Sequence, residues 1–264
     1  MAAAKRRKKR KIFSPVYLTL ILIILYLPIL MVVIYSFNSG RTIGSWQGFT
    51  TSWYSRLFSN ALMADALKNS LILAAISSLL AGGIGTLGAI GMHAMKKGWA
   101  SLLTNVSYLP MTTPDIVTGV SLMLMFVFMK IPLGKGTMLM AHIAFDTPYV
   151  LFAVMPRLRQ MNPNLYEAAL DLGCHPLKAL YKVILPEIAP GIVTGALLAF
   201  TMSLDDFVIS YFTSSTDQNL SMIVYSAARR GVEPSMYALS TIMFVIILLL
   251  LLAVNRRSSL EEMK

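Results

Sequence analysis

The chain is poor in charge and almost without cysteine. Asp, Glu, Lys and Arg make up 13% of its 264 residues, against about 25% in an average soluble domain. With 56% hydrophobic residues and a mean hydropathy of +0.66, that shortage points to an integral membrane protein. The single cysteine, Cys174, excludes an internal disulfide and a cysteine metal cluster, and reads as a small packing residue. His93, His142 and His175 have no ligand spacing and read as interface or packing residues, so neither a metal nor another cofactor is expected. No G-x-x-x-x-G-K-[ST] occurs: the one GK pair, Gly134-Lys135, lacks the upstream glycine and the following hydroxyl. ATP therefore has no phosphate-binding loop of that kind here, and no Ser/His/Asp or metal constellation marks an enzyme.

Acid is scarcer than base, 12 residues against 23, for a net charge of +11. The distribution argues against nucleic acid. Residues 5–11 (KRRKKRK) form one block directly before a hydrophobic run. That is the positive-inside pattern, with added attraction to anionic lipid headgroups. Six spans are expected, near residues 16–37, 66–92, 102–128, 137–155, 188–212 and 236–254, since about 20 helical residues cross a bilayer core. The first starts like a signal peptide, but its apolar run is too long and no A-x-A site follows. Pro28 is expected to kink it, and Pro110 with Pro114 to break the third span near its cytoplasmic third. Predicted inner segments carry Lys96, Lys97, Arg157, Arg159, Lys178, Lys182, Arg256, Arg257 and Lys264 as well as the basic block. The bias places both termini in the cytoplasm, although Arg229 and Arg230 oppose it locally. Residues 38–65 hold Trp46, Phe49, Trp53, Tyr54 and Phe58, and are placed outside as an interfacial loop.

Gly83-Ile84-Gly85-Thr86-Leu87-Gly88 fits G-x-G-x-x-G, but no strand precedes it and its surroundings are apolar. Ala81, Gly85 and Gly88 share a helical face, which suits close helix packing in lipid.

Between the fourth and fifth spans lies the one long internal stretch that is both polar and patterned, NLYEAALDLGCHPLKALYKVILP. Leu165, Ala168, Ala169 and Leu172 fall on one helical face. Asn164 with Glu167 fits a capping box, Gly173 suits a left-handed C′ position, and Pro176 suits the first turn of a second helix. Leu177, Leu180, Tyr181, Ile184 and Leu185 form that helix's apolar stripe, and Pro186 is expected to end it. Glu167-Ala168-Ala169, Gly173 and Ile184-Leu185-Pro186 together resemble the EAA loop of permease subunits of bacterial ABC importers.

Acids inside the membrane are costly and mark functional candidates. Asp205 and Asp206, in SLDDF, lie about 26 Å along the fifth span from Ile188. Adjacent helical residues diverge by about 100°, so both face one point only if the helix unwinds there. Two readings coexist: Ser203 and Asp206 cap a restarted helix, or the carboxylates attract a cation, with Phe207, Tyr211 and Phe212 offering ring faces. Asp115 and Asp146, each beside a proline, are further pathway candidates. SLDDFV, PDIVTGVSLM and IVYSAARRGVEPSMYALST resemble the second permease subunit of spermidine/putrescine importers.

The resemblance implies an all-α, six-helix type I (MetI-like) permease. It implies a basic cytoplasmic tail at 1–14, a transmembrane domain at 15–257 containing a coupling loop at 157–187, and a cytoplasmic tail at 258–264. It also implies a sister permease in a heterodimer, two ATP-binding subunits that hydrolyse ATP, an extracytoplasmic substrate-binding protein and a small cationic substrate. The rivals are a permease for another ligand, such as ferric iron or a phosphonate, and an ion-coupled secondary transporter.

Overall fold

The computed structural model describes the backbone of residues 2–41, 44–230 and 233–261, and the side chains of 17–41, 44–229, 233–249 and 252. The side chains of the basic block 5–11, Arg230, Arg256, Arg257 and Lys264 lie outside the described residues. The described residues are mostly helical. Hydrocarbon offers backbone groups no partner, and a helix satisfies its own. Among the described residues there is no strand, only an isolated bridge between Asn38 and Phe49.

Residues 1–61 and 227–264 form one compact unit. It contains α1 (Ala2–Tyr35), α2 (Ser52–Ser59) and α12 (Pro234–Glu261). No residue of the apolar part of α1, Tyr17–Tyr35, is fully buried, and the helix runs unbroken through Pro28. The loop that follows is built around Asn38. Its Oδ1 accepts the N–H groups of Gly40 (3.2 Å) and Gln47 (2.8 Å), its Nδ2–H donates to Ser45 O (2.8 Å), and its own carbonyl accepts Trp53 Nε1–H (2.6 Å). Asn38 is 1% exposed, so this bonding is what makes its burial tolerable.

Residues 62–226 form the second unit. Its centre is α6 (Lys135–Gln160), held between α3 (Ala61–Ala94) and α9 (Leu185–Asp205). Val150 of α6 is fully buried. A Cβ on Gly85 of α3 would sit 2.8 Å from Val150 Cβ, and one on Gly195 of α9 would sit 2.8 Å from Val150 Cα. A Cβ on Gly191, one turn away on α9, would sit 3.1 Å from the Ala153 carbonyl oxygen. Lipid is as apolar as leucine, so such contact between backbones, rather than hydrophobic burial, is what favours association. The G-x-G-x-x-G stretch is therefore a packing face: Ala81 and Gly85 are buried, and Gly88 is half-buried.

The third span is broken more sharply, and nearer its middle, than its sequence suggests. α4 (Lys97–Thr112) and α5 (Asp115–Phe128) meet at 106°. The cause is local: Thr113 precedes a proline and is extended (ψ 144°), and Pro114 is extended as well (ψ 138°). Pro110, by contrast, lies inside α4.

Four described helices are long and apolar enough to cross a membrane: Tyr17–Tyr35, Ala61–Ala94, Lys135–Gln160 and Pro176–Asp205. The bent α4–α5 pair makes a fifth if it is one span. The described apolar part of α12, Pro234–Leu249, is shorter.

Candidate functional site

The polar stretch after α6 forms an elbow. α7 (Asn164–Asp171) ends in a Schellman turn, with Cys174 N–H donating to Ala169 O (3.0 Å) and Gly173 N–H to Leu170 O (2.8 Å). Gly173 has φ +78°, the left-handed value expected of it. The start of α7 differs from expectation. Asn164 is its first residue rather than its cap, and Glu167 closes no capping box. Asn162 does the work instead, its Oδ1 accepting Asn164 N–H at 3.0 Å. α8 (Pro176–Ala179) starts on Pro176, as expected.

Pro186 does not end the second helix. α8 passes into a π turn, Leu180–Ile184, and then directly into α9. A wider i→i+5 turn accommodates a proline, which lacks an N–H and whose ring crowds the preceding turn. The elbow is thus continuous with the span. Ile184 is buried in the α3–α6–α9 core and Leu185 packs against it. Ile184, Leu185 and Pro186 form the joint, while Glu167 is exposed on α7. The stripe read from sequence as apolar is largely in the open: Leu172 is 89% exposed, Leu177 71% and Tyr181 73%. Amphipathic spacing was the signal, but it does not say which face is covered.

The second region lies at the other end of α9, 20 residues or about 30 Å away at 1.5 Å per residue. α9 stops at Asp205, α10 (Val208–Thr213) follows after a two-residue break, and α11 (Leu220–Arg230) comes next. Asp206 closes the break: its Oδ1 accepts Ile209 N–H (3.2 Å) and its Oδ2 accepts Ser210 N–H (2.8 Å). Ser221 Oγ–H donates to Leu204 O (2.9 Å) and Asn219 Nδ2–H to Asp206 O (3.1 Å), covering carbonyls released from the helix. Ser203 is no part of this cap. It is 1% exposed and meets Ser77 Oγ of α3 (3.0 Å) and His142 Nδ1 of α6 (2.7 Å). His142 Nε2 reaches Ser210 Oγ (2.8 Å) and stands 3.5 Å from Asp206 Oδ2. The histidine read as packing is the centre of a polar network, and its spacing in the sequence gave no sign of it.

Asp205 is exposed, whereas the side chain of Asp206 is 6% exposed. Phe207 stacks on Tyr225 at 4.0 Å and lies 5.5 Å from Tyr211, which is 56% exposed. Asp146 is fully buried beside Ser77 and within electrostatic reach of Asp206. Asp115 is exposed at the start of α5, and Tyr149 lies within electrostatic reach of both Asp115 and Asp146. The fold therefore joins Ser203, Asp206, Phe207 and Tyr211 around one break, sets Asp146 beside it, and leaves Asp115 at the α4–α5 bend. Among the described residues no group of three or more His, Cys, Asp or Glu could hold a metal.

Residues 81–257 match the family described as binding-protein-dependent transport system inner membrane component. The chain belongs to this family. It is 40% identical over 230 residues to the putrescine transport system permease protein PotI of Escherichia coli K12, covering 83% of this chain and 80% of that one. It is 37% identical over 238 residues to the spermidine/putrescine transport system permease protein PotC of the same strain, covering 90% of each. A crystal structure of a bacterial ABC transporter that imports alginate superposes with a TM-score of 0.72 at 17% identity, covering 97% of both chains. An inward-facing structure of the methionine transporter MetNI gives 0.61 at 19% identity, covering 74% of this chain and 94% of that one. The fold of this family member is that of the ABC importer permeases, and the protein is a multi-pass membrane protein.

Proposed function

We propose that this permease forms half of the translocation pathway of an ATP-driven polyamine importer. Spermidine and putrescine are chains of ammonium groups, and the permeases named for them are its relatives. The observation that carries the reading is the division of labour at the α9–α10 break. Asp206 is committed to backbone N–H groups, whereas Asp205 is exposed two residues before Phe207, whose ring pairs with that of Tyr211. A carboxylate with aromatic faces is a recognition set for an ammonium group. Ser203 and Asp206 hold that set in place, and Asp146 and Asp115 extend the acidic path.

The elbow binds the ATPase. Glu167, Ala168, Ala169 and Gly173 shape its exposed limb, and Ile184, Leu185 and Pro186 transmit its motion into α9. Coupling requires that the elbow bind two ATPase states with different free energies. ATP is hydrolysed on two partner subunits, a sister permease supplies the other half of the pathway, and an extracytoplasmic binding protein delivers substrate. Both termini and the elbow are cytoplasmic, with tails at 1–14 and 258–264 flanking the transmembrane domain at 15–257, whose coupling loop is 157–187.

The test is uptake of labelled putrescine and spermidine by the reconstituted complex carrying Asp205→Asn. Loss of the charge-assisted contact should reduce uptake about tenfold or more while ATPase subunits still assemble. Unchanged uptake kinetics would remove the substrate role of this carboxylate.

A further inference from the structure

The geometry points to His142 as the positioning residue of the α9–α10 break, held as the neutral Nε2–H tautomer by a one-way chain of donors that ends on the Asp206 carboxylate. The inference rests on the reading that Asp205 is the substrate's carboxylate, since what His142 positions is the break that turns Asp205 outward.

The imidazole is fully buried and meets hydroxyls at both nitrogens. Two neutral tautomers can each set a donor against an acceptor at both nitrogens. In one, Nδ1–H donates to Ser203 and the Ser210 hydroxyl donates to Nε2. That leaves the Nε2 lone pair facing a carboxylate oxygen 3.5 Å away, which is repulsive. In the other, Ser77 donates to Ser203, Ser203 donates to Nδ1, and Nε2–H donates to Ser210 with the carboxylate behind it. The Ser210 hydroxyl proton is then left to turn toward the Asp206 carboxylate, whose Oδ2 already accepts the backbone N–H of the same residue at 2.8 Å.

This second arrangement gives each donor of Ser203, His142 and Asn219 an acceptor. Ser210 Oγ accepts from His142 Nε2–H and from Asn219 Nδ2–H (2.7 Å) while donating its single proton. Asn219 donates its other N–H to Asp206 O, and its Oδ1 accepts Met222 N–H (2.9 Å). A doubly protonated ring would make Ser203 accept from both sides and strand its own proton. The charged or titratable groups around the ring are Asp206 from the break and Asp146, one turn along α6.

The consequence is mechanical. The chain starts on α3, passes through α6 and ends on the residue that caps α10, so the break is referenced to the three helices packed through Gly85, Val150 and Gly195. Without the imidazole, Asp206 and Ser210 lose their tie to α6, and Asp205 loses its fixed direction. His142 touches no substrate in this scheme; it acts through Ser210 and Asp206.

The test has two arms on the full complex in nanodiscs. With only three histidines in the chain, nitrogen-15 histidine labelling and subtraction of a His142→Gln spectrum isolates the ring. The expected pattern at neutral pH is one protonated nitrogen, assigned to Nε2. An Nδ1–H tautomer or an imidazolium overturns the proposal without requiring any variant to transport. In the second arm, His142→Gln retains an amide that reaches Ser210, whereas His142→Asn reaches only Ser203. Uptake KM should stay within about threefold for Gln and rise about tenfold or more for Asn. Equal KM values for the two variants would reduce the ring to a filler of space and overturn the positioning role. Undiminished uptake by Asp205→Asn would instead sink the polyamine site, and the tautomer result would still stand on its own.

Discussion

Gly85→Ala should destabilise the protein where Gly83→Ala, two residues away in the same motif, should not. A Cβ at position 83 meets nothing within 4 Å. One at position 85 lies 2.8 Å from Val150 Cβ, where 3.4 Å is the near limit of ordinary contact, a shortfall of 0.6 Å. The obstacle cannot swing away. Val150 is β-branched and stiff at χ1, its Cα lies so close to α9 that a Cβ at Gly195 would sit 2.8 Å from it, and the Thr147 carbonyl stands 2.9 Å from the new methyl. α3 and α6 would have to part, at an overpacking cost of about 1–3 kcal/mol. The gain in helix propensity from Gly to Ala, at most about 1 kcal/mol, is common to both variants and cancels in the comparison. The difference corresponds to a melting point lower by roughly 3–10 °C for a chain of this size. Thermal loss of the monodisperse peak on size-exclusion chromatography in mild detergent reads it directly. If Gly85→Ala melted within a degree of Gly83→Ala, close backbone approach would not be what holds α6 in place.

Three further outcomes follow from the elbow and the break. Gly173→Val forces a β-branched residue to φ +78°, at about 1–2 kcal/mol; the chain should still insert, and ATP-driven uptake should fall, with Gly173→Asn milder, as uptake assays in vesicles would show. Glu167→Lys reverses an exposed charge on α7 and should uncouple ATP hydrolysis from uptake without altering the melting point; normal coupling would count against docking through this limb. Asp206→Ala leaves the N–H groups of Ile209 and Ser210 without their acceptor and should cost about 1–2 kcal/mol, seen as a lower melting point, which Asp205→Asn should not share.

Much of the fold could be read from one dimension. Long apolar runs have only helical solutions in lipid, so α1, α3, α6 and α9 were legible as spans. Gly173 was legible because a left-handed turn leaves few residue choices, and Pro176 because helix starts tolerate a missing N–H. The break at Asp205-Asp206 was signalled by two adjacent acids that cannot face one point on an intact helix. Proline was the less reliable guide. Pro114 marks the 106° bend of the third span, whereas Pro186, expected to end a helix, sits at the start of one that continues from the elbow. What a proline does depends on whether the neighbouring turn can widen or its freed carbonyl finds a partner, and those partners are distant in sequence.

The sequence by itself determined that this protein spans a membrane as helices, that a polar elbow separates two of those spans, and that acids stand near the far end of the second, because hydropathy, capping and turn chemistry act between near neighbours. Only the tertiary structure decided which acid is spent on backbone and which is free, that the elbow's apolar stripe faces outward, and that His142 is a node rather than filler. Those outcomes depend on contacts such as Ser77 with Ser203 and His142 with Ser210, 126 and 68 residues apart. No local pattern encodes such pairs; they arise where α3, α6 and α9 are packed closely enough for glycine to be required.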